Sequence, residues 1–147
     1  MIVYIDSSFL VRSYLVDEID HAEVRAVLTD PEVTAITGSW TRVEVTGSLV
    51  RAARAHRGAE ADLLALFDAD TAGDSAQLTL VDASQAEVEL IALQIVRRSG
   101  IRSLDAWHLA CAILAFEALA DPGEQLGFAT RDAEQAAVAR ELGFATL

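Results

Sequence analysis

Short apolar runs alternate along the chain with longer stretches whose apolar residues recur at helical spacing. Ile2 to Ile5 is apolar throughout and gives way to Asp6-Ser7-Ser8, the pattern of a buried strand handing over to a helix cap. Phe9, Leu10, Tyr14 and Leu15 continue at helical spacing, and a second helix is expected from Ala22 to Leu28, closed by Asp30-Pro31. Val33 to Ile36 reads as a strand and Ser39 to Ala55 as a helix that Gly58 stops. Ala59 to about Ala69 reads as a further helix ending in a Gly73-Asp74-Ser75 loop. Leu78 to Val81 is the next strand, followed by a helix from Gln85 to Arg98 with Gly100 past its end. Leu104 to Leu119 is the most apolar helix, expected at the centre and closed by Asp121-Pro122-Gly123. Gln125 to Thr130 is a strand, Asp132 to Leu142 a helix, and Phe144 to Leu147 a last edge strand.

Strands separated by helices predict an α/β sandwich with a mostly parallel sheet, in which ligands sit beyond the carboxyl ends of the strands. The 147 residues contain no repeat, low-complexity tract or linker, so residues 1–147 are expected to form one domain. With 52% hydrophobic residues the chain can bury a core of its own. The longest apolar runs, such as Leu109 to Phe116, are far too short to span a bilayer. The first residues lack a basic region and Asp6 interrupts their apolar stretch, so no signal peptide is expected and the cytoplasm is the default compartment. Cys111, the single cysteine, is expected to be a small buried apolar side chain.

Charge narrows the function classes. The net charge of −12 argues against nucleic-acid binding through a broadly basic surface, although metals and a local arginine patch can still bring phosphates in. All 11 basic residues are arginine. Lacking lysine, the chain does not suit a receiver-type phosphoacceptor or a haloacid-dehalogenase-type phosphatase. It also lacks a Gly-rich phosphate loop and a dinucleotide fingerprint.

Four acids stand beside strand ends or helix starts: Asp6, Glu44, Asp105 and Asp132. Each has an ordinary structural explanation. Asp6 and Asp132 suit helix N-caps, the latter with Gln135 completing a capping box, and Glu44 suits a solvated helix face or a bond to Arg51 or Ser48. Asp105 suits the positive start of its helix, although Ser103 is expected to supply the cap there. Gathered at one sheet edge, however, four carboxylates would repel one another unless a divalent cation joined them.

Taken in order, these segments resemble a known family. Tyr4-Ile5-Asp6-Ser7-Ser8, Thr41-Arg42-Val43-Glu44-Val45, Leu104-Asp105-Ala106-Trp107-His108-Leu109-Ala110 and Phe128-Ala129-Thr130-Arg131-Asp132 are similar to the motifs of PIN-domain ribonucleases. The likeness is strongest to the VapC-type toxins of bacterial toxin–antitoxin modules. It implies a PIN-like three-layer sandwich, a Mg²⁺ or Mn²⁺ site, and endonucleolytic cleavage of RNA leaving a 5′-phosphate. Asp6 and Asp105 would be direct metal ligands, Glu44 and Asp132 would complete the catalytic acidic set, and Ser7 and Thr130 would orient the acids or a water. The implied partners are RNA, a cognate antitoxin and a second copy in a homodimer, with no membrane. The family often has a Phe shortly after its last acid, where this chain has Ala133-Glu134-Gln135. Two alternatives stay open: an RNA-processing PIN nuclease without an antitoxin, and a PIN-like module that binds without cutting.

Further residues are expected to serve that site. Arg51, Arg54 and Arg57 follow Glu44 on one helix, Arg51 about 10 Å along its axis, and are candidates for contacting substrate phosphates. Their competing explanation is pairing with Glu60, Asp62 or a dimer neighbour. Arg97, Arg98 and Arg102 form a shorter patch near Asp105. Trp40 and Trp107 are expected in the core, and His108 is expected to be packed and hydrogen-bonded rather than catalytic.

Overall fold

Strand β1 (Ile2–Ile5) runs through the middle of the molecule with every residue buried. The computed structural model describes residues 1–72 and 76–147; the expected Gly73-Asp74-Ser75 loop lies outside the described residues. Successive β1 side chains point to opposite faces of the sheet and so separate two cores. Ile2 and Tyr4 join the core built with α5 (Gln85–Ser99), α6 (Ser103–Leu119) and α7 (Ala133–Glu141). Val3 and Ile5 join the other, built with α1 (Ser7–Arg12), α2 (His21–Thr29), α3 (Ser39–Arg54) and α4 (Glu60–Thr71). The result is a three-layer α/β sandwich.

The sheet order is β3 (Thr79–Val81), β2 (Thr34–Gly38), β1, β4 (Leu126–Ala129), β5 (Ala145–Thr146). Every strand pairing among the described residues is parallel, the short β5 edge included. From β1 the order runs to β2 on one side and to β4 on the other. Such a reversal opens a crevice beyond the carboxyl ends of the two central strands, where ligands of open parallel sheets sit. Asp6 follows β1 and Thr130 follows β4, so both stand at its mouth.

Helix α6 is central, as its apolar run predicts: Ala106, His108 to Ala112, Ala115 and Phe116 are all buried. Element ends depart from expectation where local bonds intervene. Helix α1 stops at Arg12 because the Ser13 hydroxyl donates to the Leu10 carbonyl at 2.7 Å, leaving Tyr14 and Leu15 buried but outside it. Helix α3 is turned off at His56, with a left-handed φ of 60°, and not at Gly58. Histidine is among the non-glycine residues that visit this region more often. Gly100, with φ 75°, ends α5 as expected. Among the described residues no helix is long and apolar enough to cross a membrane.

Candidate active site

Asp6 is the first residue past β1, 3% exposed, and its carboxylate accepts the Phe9 N–H at 3.0 Å as the N-cap of α1. Two hydroxyls pack against it further: Ser8 donates to Oδ1 at 2.9 Å, and the Thr130 hydroxyl, whose one proton Gln135 Oε1 also claims at 2.6 Å, lies 3.1 Å from Oδ2. The hydroxyl that reaches Asp6 from this turn therefore belongs to Ser8, not to the expected Ser7. A residue two positions on in a new helix can fold back over its cap. Ser8 also accepts the Arg131 N–H at 2.9 Å, which ties the turn after β1 to the turn after β4. Burial pushes the Asp6 carboxyl up, while Phe9, His108, Ser8 and Thr130 pull it down.

Asp132 is the N-cap of α7, its Oδ1 accepting from the backbones of Glu134 and Gln135 at 2.9 Å each. The expected capping box is only half made. The Gln135 side chain is fully buried, with Oε1 2.6 Å from the Thr130 hydroxyl and Nε2 donating to the Asp105 carbonyl at 3.2 Å. Gln135, three residues past the last acid, is thus a buried polar side chain that links the turn after β4 to α6. Its buried position on an otherwise ordinary capping pattern left no signal in the sequence.

Asp105 lies in the first turn of α6, half-buried. The N-cap position is Arg102, without a side-chain cap bond, and Ser103 is already inside the helix, so the expected serine cap is not formed. The Asp105 carboxyl is pushed up by burial first and by Asp132 next; Arg102 and His108 pull it down, and Glu44 pushes it up. Asp105 therefore feels two of the other three acids. Glu44, in α3, bonds neither Arg51 nor Ser48. Its Oε2 lies 2.7 Å from Nε2 of His108, which is 2% exposed and whose Nδ1 lies 3.2 Å from the Tyr4 hydroxyl. His108 is packed and hydrogen-bonded, as expected, and its partner is Glu44, one of the four candidate acids.

A model of the PIN domain matches residues 3–141. The chain belongs to the PIN-domain family. Solved structures of the same fold include a toxin–antitoxin complex from Klebsiella pneumoniae, 18% identical, with a TM-score of 0.57 over 92% of this chain and 90% of that one. VapBC2 from Rickettsia felis, bound to a DNA fragment from its promoter, is 12% identical, with a TM-score of 0.63 over 100% and 98%. PAE2754 from Pyrobaculum aerophilum is 17% identical, with a TM-score of 0.60 over 98% and 82%. No curated protein matches the chain in sequence.

Whether this PIN domain suits a divalent cation turns on its donors. Carboxylate oxygens are the hard ligands Mg²⁺ and Mn²⁺ take, and the crowding felt by Asp105 is what a cation would relieve. The donor set fits by chemistry. It is not a finished cage: among the described residues no three His, Cys, Asp or Glu side chains converge tightly enough to hold an ion as they stand. Asp6 and Asp132 keep an oxygen engaged in a cap, and Glu44 is drawn to His108.

The arginines divide. Arg57 is held by Asp17 at 2.7 Å and Glu18 at 2.6 Å, which push its already high pKa higher. These partners replace the expected Glu60 and Asp62. Arg51 bonds only the Ser48 hydroxyl among the described residues, and Arg54 is exposed. Arg51 and Arg57 line a groove of about 450 Å³ with Arg12, which begins at Ser7 and Ser8 beside Asp6. Arg97, Arg98 and Arg102 are exposed near the start of α6. Trp40 departs from the expected core position, being 50% exposed, because α3 begins directly after β2 at the sheet edge. It lines an apolar cavity of about 550 Å³ with Trp107, Leu104 and Cys111.

Proposed function

We propose that this PIN domain is a divalent-metal-dependent endoribonuclease and the toxin of a toxin–antitoxin pair. The observation that carries the reading is that Asp105 stands near enough to both Asp132 and Glu44 to feel their charge, while Asp6 is tied through Ser8 and Thr130 to the turn that leads to Asp132. Asp6 and Asp105 would bind Mg²⁺ or Mn²⁺ directly, with Glu44 and Asp132 completing the set. A phosphodiester is anionic and repels hydroxide; a bound cation offsets that charge and lowers the pKa of its water.

The chain's own residues supply the rest. Ser8, with Thr130 close to the other oxygen, would fix the rotation of the Asp6 carboxylate. Gln135 holds the start of α6, and with it Asp105, against the turn after β4. Arg51 and Arg54, on the helix that carries Glu44, would contact substrate phosphates, whereas Arg57 is occupied by Asp17 and Glu18. The antitoxin reading draws on neighbours of this fold, one a toxin–antitoxin complex and one VapBC2. A basic antitoxin segment reaching the acids would suit a chain of net charge −12, and the toxin would act as a homodimer.

A module that binds without cutting is the second reading, favoured by the engagement of Asp6 and Asp132 as caps. Incubating the protein with total RNA, with and without Mg²⁺ or Mn²⁺, and mapping the new ends tests the proposal. Metal-dependent internal cuts with 5′-phosphate ends are expected; intact RNA under all conditions favours the binding module. A small adjacent reading frame for a DNA-binding protein distinguishes a toxin from an RNA-processing nuclease.

A further inference from the structure

Three buried groups from three elements form a hydrogen-bonded row that ends on Glu44. The Tyr4 hydroxyl accepts the Gly38 N–H at 3.1 Å and lies 3.2 Å from His108 Nδ1, while His108 Nε2 lies 2.7 Å from Glu44 Oε2. An ionised carboxylate only accepts hydrogen bonds, so Nε2 must carry the proton; in the neutral ring Nδ1 is then the acceptor and the tyrosine O–H donates to it.

This row is rigid at its far end. Tyr4 is fully buried and stacked on Phe128, ring centroids 5.6 Å apart. The backbone at Gly38 comes so close that a Cβ there would lie 2.8 Å from the Tyr4 oxygen, which explains a glycine at the end of β2. Glu44, by contrast, sits on an exposed stretch of α3 with several rotatable bonds and is only partly covered. Without a partner its carboxylate would be free to swing toward solvent. His108 also stands close enough to Asp6 and Asp105 to act on both carboxyls.

We propose that His108 is a positioning residue, whose Nε2–H fixes the Glu44 carboxylate toward the crevice while Tyr4 sets its tautomer. The proposal rests on the reading of Glu44 as a site acid. Side chains that orient metal-binding carboxylates typically matter 10–100-fold in metal affinity or activity, as a rough guide.

Two substitutions separate the donor from the packing. His108→Gln places an amide N–H near the Nε2 position, whereas His108→Asn places one near Nδ1 and cannot reach Glu44. Mn²⁺ binding is measured by calorimetry for the parent, both variants, Glu44→Gln and the Glu44→Gln/His108→Asn pair, alongside cleavage of total RNA. His108→Asn is expected to weaken Mn²⁺ binding roughly 10–100-fold, His108→Gln to recover most of that loss, and the asparagine to add nothing in the Glu44→Gln background. Isotope-labelled histidine NMR of the metal-free parent is expected to find the His108 proton on Nε2. An unprotonated Nε2, equal losses in the two His108 variants, or parent-like Mn²⁺ binding by His108→Asn while Glu44→Gln fails would each overturn the positioning role alone. A Glu44→Gln protein that binds Mn²⁺ and cuts RNA like the parent would overturn the site reading and this role with it.

Discussion

Asp6 serves two purposes with one carboxylate, a helix cap and a candidate metal ligand, and the two respond differently to the loss of charge. Asparagine caps a helix about as well as aspartate, so Asp6→Asn keeps the bond to Phe9 while removing a negative charge from a site 3% exposed. The variant is expected to lose RNA cleavage by at least about 100-fold, in line with the weight of such charge-stabilising groups, and to melt in chelator at the parent's temperature or above it. Cleavage at the parent rate would place the chemistry elsewhere. Cys111 gives a prediction independent of the acids. Burial pushes its thiol up to about 11, from an ordinary 9.0, so the thiolate that alkylating agents need is scarce near neutral pH. Alkylation by iodoacetamide is expected to be slow in the folded protein at pH ~8 and rapid once it is unfolded. The folded thiol holds its proton more tightly than the unfolded one, so this group's contribution to stability falls as pH rises from 9.0 toward about 11. Fast labelling of the native protein at neutral pH would contradict this burial. The cap roles of Asp6 and Asp132 were legible because capping is local. The bonds from Glu44 to His108 and from Gln135 to Thr130 and Asp105 were not, because nothing in the spacing of those residues says which buried polar groups meet.

Elements were more legible than the bonds between them. Apolar periodicity placed each strand and helix within a few residues, and the parallel sheet followed from their alternation. Errors fell where a side chain ended an element early, as Ser13 does for α1, or where an unexpected residue took the left-handed turn, as His56 does after α3. The pairing of Arg57 was beyond the sequence for the same reason: Asp17 and Glu18 lie about 40 positions away and meet it only after α1 packs on α3. That pairing alters what α3 can offer RNA. Arg51 and Arg54 remain available, whereas a phosphate at Arg57 must displace two carboxylates. Replacing Arg51 and Arg54 with Ala is expected to weaken RNA binding and lower the slope of log affinity against log salt by up to about 2, one for each phosphate left without its arginine, with Mn²⁺ affinity nearly unchanged. Replacing Arg57 alone is expected to lower the melting temperature by a few degrees through its exposed pairs with the α1–α2 loop, and to move the salt slope little. A salt series run beside a thermal melt separates these outcomes, and an unchanged slope in the double variant would end the role of α3 in guiding phosphates.

At the scale of the whole molecule, a net charge of −12 is carried by a fold that gathers acids at one edge. In the metal-free state Asp105 is held near Asp132 and Glu44 against their repulsion, and Asp6 is held in a buried cap. Those costs are present only in the folded protein, since in the unfolded chain the same acids are dispersed and solvated. A cation bound to the folded site would remove them, and its binding energy would appear as stability. For a single site the gain is RT ln(1 + [L]/Kd), or about 2.7 kcal/mol when the metal stands at 100 times its Kd. For a domain of this size that corresponds to an upward shift of roughly 5–10 °C in melting temperature. Saturating Mn²⁺ is therefore expected to raise the melting temperature over that in chelator. Ca²⁺, larger and content with irregular coordination, tests how strictly the site selects by size. Amidating Asp6, Asp105 and Asp132 together is expected to raise the melting temperature in chelator and to abolish the response to Mn²⁺, because the repulsion and the ligands disappear at once. An equal shift in parent and triple variant would mean that Mn²⁺ is only screening the molecule's overall charge, and an equal concentration of Mn²⁺ in high salt would then produce none.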